Sequence, residues 1–466
     1  MRTQLIPVLL LLLAMVASVT RPLDAQTVVQ ASDAEVRQIL VDRIDRDRQS
    51  IGIVVGLVGP TGRRVVAYGA LEKGDSRPLN GDTVFEIGSV TKVFTSLLLA
   101  DMAARHELAL SDPIAMHLPS ELKTPTRNGQ SITLTDLATH TSGLPRLPTN
   151  LVPANRDNPY ADYTVEQLYG FLSSYTLTRD IGSQYDYSNL GGGLLGHLLA
   201  RRAGMSYGAL VQARITGPLG MTSTSIELSA EQRGRLAVGH NAQLNAVPNW
   251  DLATLAGAGA LRSSTNDMLT FLEANLGVTK SPLAPAMASM LTVRRPTGSP
   301  GLDVTLGWHV FNRGGRDLVW HNGGTGGYRS FVGFSPVEGV GVVVLSNTST
   351  TAGVDDIGLH LLDSRRPLLK APQTHAEVPA KPSLFDGYAG QYQLAPNFVL
   401  TVTRDGDRLF VQATNQPRFE LFAEGDKDYF LKVVDASVTF VTDDHGHATA
   451  AVLHQNGANV TGKRVE

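Results

Sequence analysis

Two residues of the sequence, Ser89 and Lys92, have the types and the spacing of a nucleophile and its base. They lie three residues apart in a strongly helical stretch, and a helix places both side chains on one face. A serine hydroxyl becomes a good nucleophile when a base removes its proton, and a lysine is such a base only when its amine is neutral. Burial and nearby positive potential both lower a lysine pKa. The pair predicts nucleophilic catalysis, although the spacing alone also fits a helix cap beside a solvated lysine.

A second pair, Tyr187 and Asn189, stands just before a glycine-rich helix start. Two positions apart on a loop, a phenol and a carboxamide can be directed at the same point. The phenol can relay a proton, and the amide can orient Lys92 or hold a substrate carbonyl. Taken alone, the pair is equally typical of a packed tyrosine and a turn asparagine.

The third feature is the glycine-rich segment from His321 to Gly327, which follows a predicted strand. Its glycines, which include Gly323 and Gly324, allow a ligand to approach the backbone closely. The N–H of Gly324, paired with the N–H of Ser89, can bind a developing oxyanion. A loose hairpin is the alternative interpretation.

In this order, Ser89-Val90-Thr91-Lys92, Tyr187-Ser188-Asn189 and His321-Asn322-Gly323 resemble the three motifs of class C β-lactamases and penicillin-binding-protein-like serine hydrolases. The resemblance covers roughly residues 35–362. It implies that Ser89 forms an acyl-enzyme while Lys92 and Tyr187 share the general-base and general-acid roles. It also implies contacts to the substrate or its oxyanion from Asn189, His321, Gly323 and Gly324.

One position departs from this resemblance. The third motif of efficient β-lactamases usually begins with lysine, whereas His321 stands there in this chain. A histidine with a pKa near ~6.5 is mostly neutral at pH 7. The difference weakens the case for a dedicated β-lactamase and favours D-amino-acid peptides or simple esters as substrates. Arg329 can supply the missing carboxylate contact, or it can be a solvated strand residue.

Three further sites look reactive but have ordinary explanations. Ser206 lies in a G-x-S-x-G pattern that lacks the preceding strand this motif requires, so we interpret it as a helix N-cap. His140 is interpreted as a loop-stabilising residue. His445 and His447 flank a turn glycine without further ligands nearby, which indicates a hairpin tip, and no metal or other cofactor is predicted.

The order of the predicted elements indicates the fold. Strands at residues 51–58 and 64–68, a helical region at roughly 110–275, strands between residues 304 and 345 and a helix at 355–362 follow one another. This order predicts an α/β (α+β) sandwich of the serine β-lactamase/DD-peptidase type, an antiparallel sheet flanked by helices with a helical insert. One continuous strand is expected at residues 304–311.

We predict a hydrolase domain at residues 26–365, a proline-rich linker at 366–382 and a small all-β barrel at 383–466. Six short strands are recognisable in the barrel, which looks like the lipocalin-like domain often appended to this family. Residues 1–25 have a basic start, a short apolar stretch and Ala25 at a cleavage point, and this predicts a signal peptide. An uncleaved anchor is the alternative. The mature protein is expected to be exported, periplasmic or secreted, and without a stable membrane span.

The amino-acid composition limits the kinds of molecule that the protein is expected to bind. The chain has 466 residues, a formal net charge of -3 and no cysteine, so disulfides and thiolate nucleophiles are excluded and nucleic acid is not expected as a partner. The expected substrate is a small peptide, a β-lactam or an ester, and an oligomer is left open. We therefore expect D-alanyl-D-alanine carboxypeptidase/endopeptidase-type or β-lactamase-like hydrolysis. A carboxylesterase and a non-catalytic envelope binding protein are the alternatives.

Overall fold

The computed structural model describes residues 30–312, 314–369, 375–395, 398–414, 416–455 and 458–465. The predicted signal peptide lies outside the described residues, as does the linker stretch 370–374. The α-helices are α1 (Asp33–Val41), α2 (Thr91–Ala104), α3 (Leu134–Ala138), α4 (Val165–Ser174), α5 (Asn189–Ala203), α6 (Tyr207–Val211), α7 (Gly217–Leu219), α8 (Ala230–Gly234), α9 (Thr265–Asn275), α10 (Ala284–Met290), α11 (Asp355–Leu362) and α12 (Phe385–Tyr388).

A large antiparallel sheet organises the part of the chain before residue 365. The strands of this part are β1 (Gly52–Gly59), β2 (Gly62–Gly69), β3 (Val84–Glu86), β4 (Thr126–Arg127), β5 (Gln130–Ser131), β6 (His240–Asn241), β7 (Arg262–Ser264), β8 (Arg295–Pro296), β9 (Leu302–Val304), β10 (His309–Phe311), β11 (Leu318–Gly324), β12 (Arg329–Ser335), β13 (Val340–Ser346) and β14 (Thr348–Ser349). In the large sheet the strands run in the order β2–β1–β13–β12–β11–β10–β9–β8.

Helices cover both faces of this sheet. Every residue of β1 is buried, which explains why its sequence is apolar throughout rather than alternating. Val54 and Val58 face the core shared with α2 and α9, whereas Ile53 and Val55 face the core shared with α1 and α11. The predicted sandwich with its helical insert between β2 and β8 is confirmed.

Helix α2 lies at the centre of the larger core. All of its residues from Thr91 to Met102 are buried, as expected for a helix that contacts protein on every side. Its N-terminal residues therefore have a fixed position, which matters because Ser89 and Lys92 lie at this end.

The C-terminal part is a closed antiparallel barrel with its own apolar core. The prediction missed two of its strands, β15 (Gly390–Ala395) and β22 (Ala458–Arg464). Most residues of β22 are exposed, so the chain there lacks the apolar alternation that marks a strand. The barrel strands are β15 (Gly390–Ala395), β16 (Phe398–Asp405), β17 (Arg408–Ala413), β18 (Arg418–Ala423), β19 (Asp428–Phe430), β20 (Ala436–Thr442), β21 (Ala448–Gln455) and β22 (Ala458–Arg464).

One other expectation needs correction. The single strand predicted at residues 304–311 is divided into β9 and β10 by a turn in which Thr305 N donates to Trp308 O and Gly307 has a φ of +75°.

The second half of the predicted linker contacts the barrel, since Val378 N donates to Ala423 O and the His375 ring stacks on Phe430.

Candidate active site

Ser89 lies in a 3₁₀ turn, Gly88–Val90, that leads directly into α2. This position places its hydroxyl near the positive end of the helix dipole. The Nζ of Lys92, one turn further on, lies 3.0 Å from Ser89 Oγ. The Ser89 side chain is partly exposed, whereas Lys92 is 3% exposed. A reachable hydroxyl is thus hydrogen-bonded to a buried amine.

The environment of Lys92 favours its neutral form. Nζ contacts Asn189 Oδ1 at 2.9 Å and the Ala258 carbonyl at 2.7 Å. Among the described residues, it makes no ion pair with a carboxylate. Burial, and then the positive charge of Arg146, hold the pKa of Lys92 well below its usual 10.5. A neutral amine hydrogen-bonded to a serine hydroxyl can accept the proton of that hydroxyl.

Tyr187 has the opposite electrostatic character. Burial raises the pKa of its phenol well above the ordinary value, and a hydrogen bond with Ser89 opposes this rise only in part. The ring lies 4.9 Å from Lys92 Nζ, measured to its centroid. The phenol therefore keeps its proton near neutral pH and can donate it. A lowered lysine pKa and a raised tyrosine pKa in one site are the arrangement expected for a base and an acid.

Asn189 is the first residue of α5, and Ser188 caps that helix by accepting from Gly191 N at 2.8 Å. The Asn189 carboxamide connects two sides of the site, because it accepts from Lys92 and donates from Nδ2 to the Tyr160 hydroxyl at 3.1 Å. A Cβ atom at Gly192 would lie 2.9 Å from Lys92 Cε, which explains the need for glycine at that position in α5.

The edge of β11 faces the Ser89 turn. Thr325 N donates to Tyr328 O, so alternation along the ladder leaves the N–H of Gly324 pointing away from β12. On the other side, β10 pairs with β11 only at Leu318–Trp320, so β10 does not cover this N–H.

The two backbones meet closely at this edge. A Cβ at Gly88 would lie 2.7 Å from Gly324 N, and one at Gly323 would lie 2.0 Å from the Ile87 carbonyl oxygen. Gly88 also has a φ of +48°, which favours glycine. Glycines thus bring the N–H of Gly324 next to the Ser89 turn. The segment forms an ordered hairpin rather than the loose one considered above, because β11 continues to Gly324 and pairs with β12 up to the turn.

His321 is buried next to Tyr187 and is not exposed at the surface of the site. Its side chain is 1% exposed, and its ring centroid is 6.2 Å from that of Tyr187. Nδ1 lies 2.6 Å from the Asn322 carbonyl oxygen and must carry the proton, so Nε2 is an unprotonated atom. Burial, His309 and Lys92 hold the His321 pKa well below 6.5. The imidazole is neutral and does not replace the lysine of the related β-lactamases as a cation.

Aromatic side chains that the sequence motifs did not include surround Tyr187. His309 on β10 shares a 2.9 Å hydrogen bond between its Nε2 and the Tyr185 hydroxyl. Burial, and then the nearby Lys92, lower the pKa of His309 to about 4. His140 packs against the Tyr187 ring at 4.4 Å between centroids and accepts from Ser188 N at 3.1 Å. These contacts fit the interpretation of His140 as a loop-stabilising residue.

The remaining sequence candidates have the following positions. Arg329 is half-buried, its Nε donates to the Thr350 carbonyl, and its guanidinium lies against Gly324. Ser206 is the N-cap of α6 and accepts from Ala209 N, as predicted. The hairpin tip at residues 443–447 is held by backbone donation from His445 and His447 to the Asp443 carboxylate.

Within the described residues, no group of three or more His, Cys, Asp or Glu side chains is placed to hold a metal ion. The helices of this part of the chain also include none with the length and hydropathy of a membrane span.

Comparisons with known proteins agree with this fold. A family model described as "Beta-lactamase" matches residues 33–364, and a model described as a domain of unknown function (DUF3471) matches residues 374–464. The D-alanyl-D-alanine-carboxypeptidase/endopeptidase AmpH of Escherichia coli K12 is 30% identical over 347 residues, which are 72% of this chain and 89% of that protein. Penicillin-binding protein 4* of Bacillus subtilis is 25% identical over 454 residues, covering 90% of this chain and 96% of that protein.

A solved structure shows the same architecture. The class C β-lactamase from Rhodobacter sphaeroides superposes with a TM-score of 0.62 at 27% identity, covering 72% of this chain and 98% of that structure. The fold and the matches together define a serine hydrolase. The chain belongs to the β-lactamase family, and it is a hydrolase of the β-lactamase/DD-peptidase type.

Proposed function

We propose that the protein hydrolyses D-alanyl-D-alanine-type peptides, as a carboxypeptidase or endopeptidase, through an acyl-enzyme on Ser89. The observation that carries the proposal is the buried amine of Lys92, 3.0 Å from the Ser89 hydroxyl and with its pKa held well below 10.5. The similarity to the D-alanyl-D-alanine-carboxypeptidase/endopeptidase of E. coli supports the choice of substrate.

The proton path follows from the two opposed pKa shifts. Ser89 Oγ attacks the substrate carbonyl carbon while neutral Lys92 accepts the hydroxyl proton. As the C–N bond breaks, Tyr187 gives its proton to the leaving amine. The Lys92 ammonium returns a proton to the Tyr187 phenolate, so both groups regain their resting states. Water then attacks the ester carbonyl and gives a proton to Lys92. Lys92 passes this proton to Ser89 Oγ as the ester C–O bond breaks, which releases the acid and restores the Ser89 hydroxyl and the neutral amine.

The remaining motif residues hold the reacting groups. The N–H groups of Ser89 and Gly324 stabilise the oxyanion, and the loss of one such donor costs about 10²–10³ in turnover in comparable sites. Asn189 orients Lys92. Gly323 allows β11 to approach the turn, and His321 supports Tyr187 from behind.

A carboxylesterase on the same scaffold is the second candidate, and one observation favours it. His321 is neutral and buried where the lysine of the related β-lactamases would carry a charge, so the site lacks a cation for substrate carboxylates at that position. The same observation makes slow rather than efficient β-lactam hydrolysis the expectation.

One assay panel tests the proposal. Wild type and Ser89→Ala are compared on an acyl-D-Ala-D-Ala peptide, its L-Ala-L-Ala counterpart, a chromogenic cephalosporin and a short-chain nitrophenyl ester. We expect Ser89-dependent cleavage of the D,D-peptide and little cleavage of the L,L-peptide. Ester turnover without peptide cleavage would support the esterase instead. If wild type equals Ser89→Ala on all four substrates, the protein is better described as a non-catalytic binding protein.

Export and the domain boundaries belong to the proposal as well. The basic, then apolar, start of the chain supports a signal peptide cleaved after Ala25 and a periplasmic or secreted enzyme. N-terminal sequencing of the mature protein should begin at Gln26; an intact Met1 would contradict cleavage. The barrel, with its separate core, supports an independent lipocalin-like C-terminal domain.

A further inference from the structure

Arg146 lies at the catalytic centre with its side chain exposed. Its guanidinium carbon is 5.3 Å from the centroid of the Tyr187 ring. Its carbonyl oxygen accepts from Asn189 N at 2.9 Å and from Leu190 N at 3.2 Å, so the backbone is tied to the start of α5. The residue is thus held beside Tyr187 by main-chain bonds, which leaves the side chain free to bind something else.

The guanidinium has no acidic partner within the described part of the chain. Asp186, which precedes Tyr187, is already paired with Arg179 at 2.6 Å. A guanidinium presents several donors in a planar fork that matches a carboxylate in two parallel hydrogen bonds. An exposed and unpaired fork beside the catalytic centre is therefore suited to an anionic ligand.

The other basic groups of the site are buried or lie beside a different part of it. Lys92 is buried and bonded to Ser89, Asn189 and Ala258. Arg329 is half-buried and lies against Gly324, beside the proposed oxyanion donor, with its Nε bonded to the Thr350 carbonyl. His321 is buried and cannot bring a charge to a substrate.

We propose that Arg146 binds a carboxylate on the leaving-group part of the substrate. The leaving group is the relevant part because Arg146 lies over Tyr187, the group that donates a proton to it. The inference rests on the proposed acyl transfer at Ser89 and narrows the substrate class. It predicts a preference for peptides with a free terminal carboxylate next to the cleaved bond, as in carboxypeptidase action, over internal bonds and neutral esters.

Arg146 also has an effect that does not require contact with the substrate. Its charge contributes to the lowered pKa of Lys92. Loss of that charge raises the pKa of Lys92, and this change alters kcat/KM for every substrate by the same factor. The ratio of kcat/KM between two substrates that differ only in the leaving-group carboxylate is insensitive to this effect, and it isolates direct binding.

The test uses a matched pair of aryl esters of one acyl-D-alanine. The leaving group is 3-hydroxybenzoate in the first ester and 3-hydroxybenzamide in the second, so a carboxylate replaces a neutral amide of similar shape. Both are assayed with wild type, Arg146→Gln and Lys280→Gln, the last a matched loss of one exposed positive charge on the loop after α9. Any difference in intrinsic reactivity cancels between enzymes.

We expect wild type and Lys280→Gln to favour the carboxylate ester, and Arg146→Gln to reduce that preference by about 10- to 100-fold, the range for a charge-assisted hydrogen bond. Arg146→Glu should prefer an ester whose leaving group carries a trimethylammonium group at the same position. The inference is overturned if Arg146→Gln keeps the wild-type ratio, or if wild type does not discriminate. Turnover of neither ester above the Ser89→Ala level would instead refute acyl transfer itself, and the inference with it.

Discussion

The amine of Lys92 lies 3.0 Å from the hydroxyl of Ser89, inside a core where no carboxylate of the described residues neutralises it. An ammonium in this position would be costly, and the pKa of Lys92 is accordingly held well below 10.5. Because Tyr187 has its pKa shifted in the opposite direction, the acid and base roles are separated by environment rather than by residue type. The predictions below follow from this separation.

Lys92→Arg should abolish most activity. An arginine keeps the positive charge at all accessible pH values and cannot accept the Ser89 proton. We expect kcat to fall by about 10²–10⁴, the usual contribution of a general base. Lys73→Arg, the same change at an exposed site, is the control. Wild-type kcat in Lys92→Arg would show that lysine is not the base.

Tyr187→Phe should affect amides more than activated esters. An amine leaves only when it is protonated, whereas a nitrophenolate leaves as an anion. We expect a loss of about 10²–10⁴ in kcat for the peptide and a clearly smaller loss for the nitrophenyl ester. Parallel kinetics on the two substrates measure the difference. Equal losses would mean that Tyr187 acts before the leaving group departs.

Gly192→Ala should disturb the site without unfolding the protein. The added Cβ would lie 2.9 Å from Lys92 Cε and displace the amine from Ser89. Gly170→Ala in α4 is a matched control, because nothing lies within 4 Å of its added Cβ. We expect kcat to fall at least about tenfold for Gly192→Ala and to remain unchanged for Gly170→Ala. Equal kcat values would remove the packing explanation for Gly192.

His309 should make the protein less stable in acid. Its pKa is lowered to about 4 from an ordinary 6.5, so between these values the unfolded chain binds the proton that the folded chain excludes. The free energy of unfolding therefore falls as pH falls through this window, by about 3 kcal/mol for this group. Above pH 6.5 His309 is neutral in both the folded and the unfolded chain, so this loss of stability is absent. Urea unfolding at several pH values should give a shallower dependence for His309→Gln, and an unchanged slope would contradict the assignment.

The sequence was most informative where local signals are strong. The helix predicted at residues 355–362 has the same limits as α11 in the structure. Ser89 and Lys92 were recognisable because helical spacing brings them together. The sandwich followed from the order of strands and helices.

Contacts between distant parts of the chain could not be read in this way. Tyr185 and His309 are separated by 124 positions, and nothing in either neighbourhood indicates the other. Arg146 belongs to none of the three sequence motifs, and its relation to Tyr187 depends on how the chain around it returns to α5. The burial of His321 was hidden for the same reason: it depends on His309, Tyr187 and the strand pairing around them.

The most direct test of the central claim is the identification of the acylated residue. The enzyme is quenched with acid while it turns over the ester of the panel, digested, and mapped by mass spectrometry. We predict that the acyl group is found on the peptide containing Ser89 and that the adduct is absent from Ser89→Ala. An acyl group on any other residue, or turnover with no covalent adduct and no dependence on Ser89, would contradict the account.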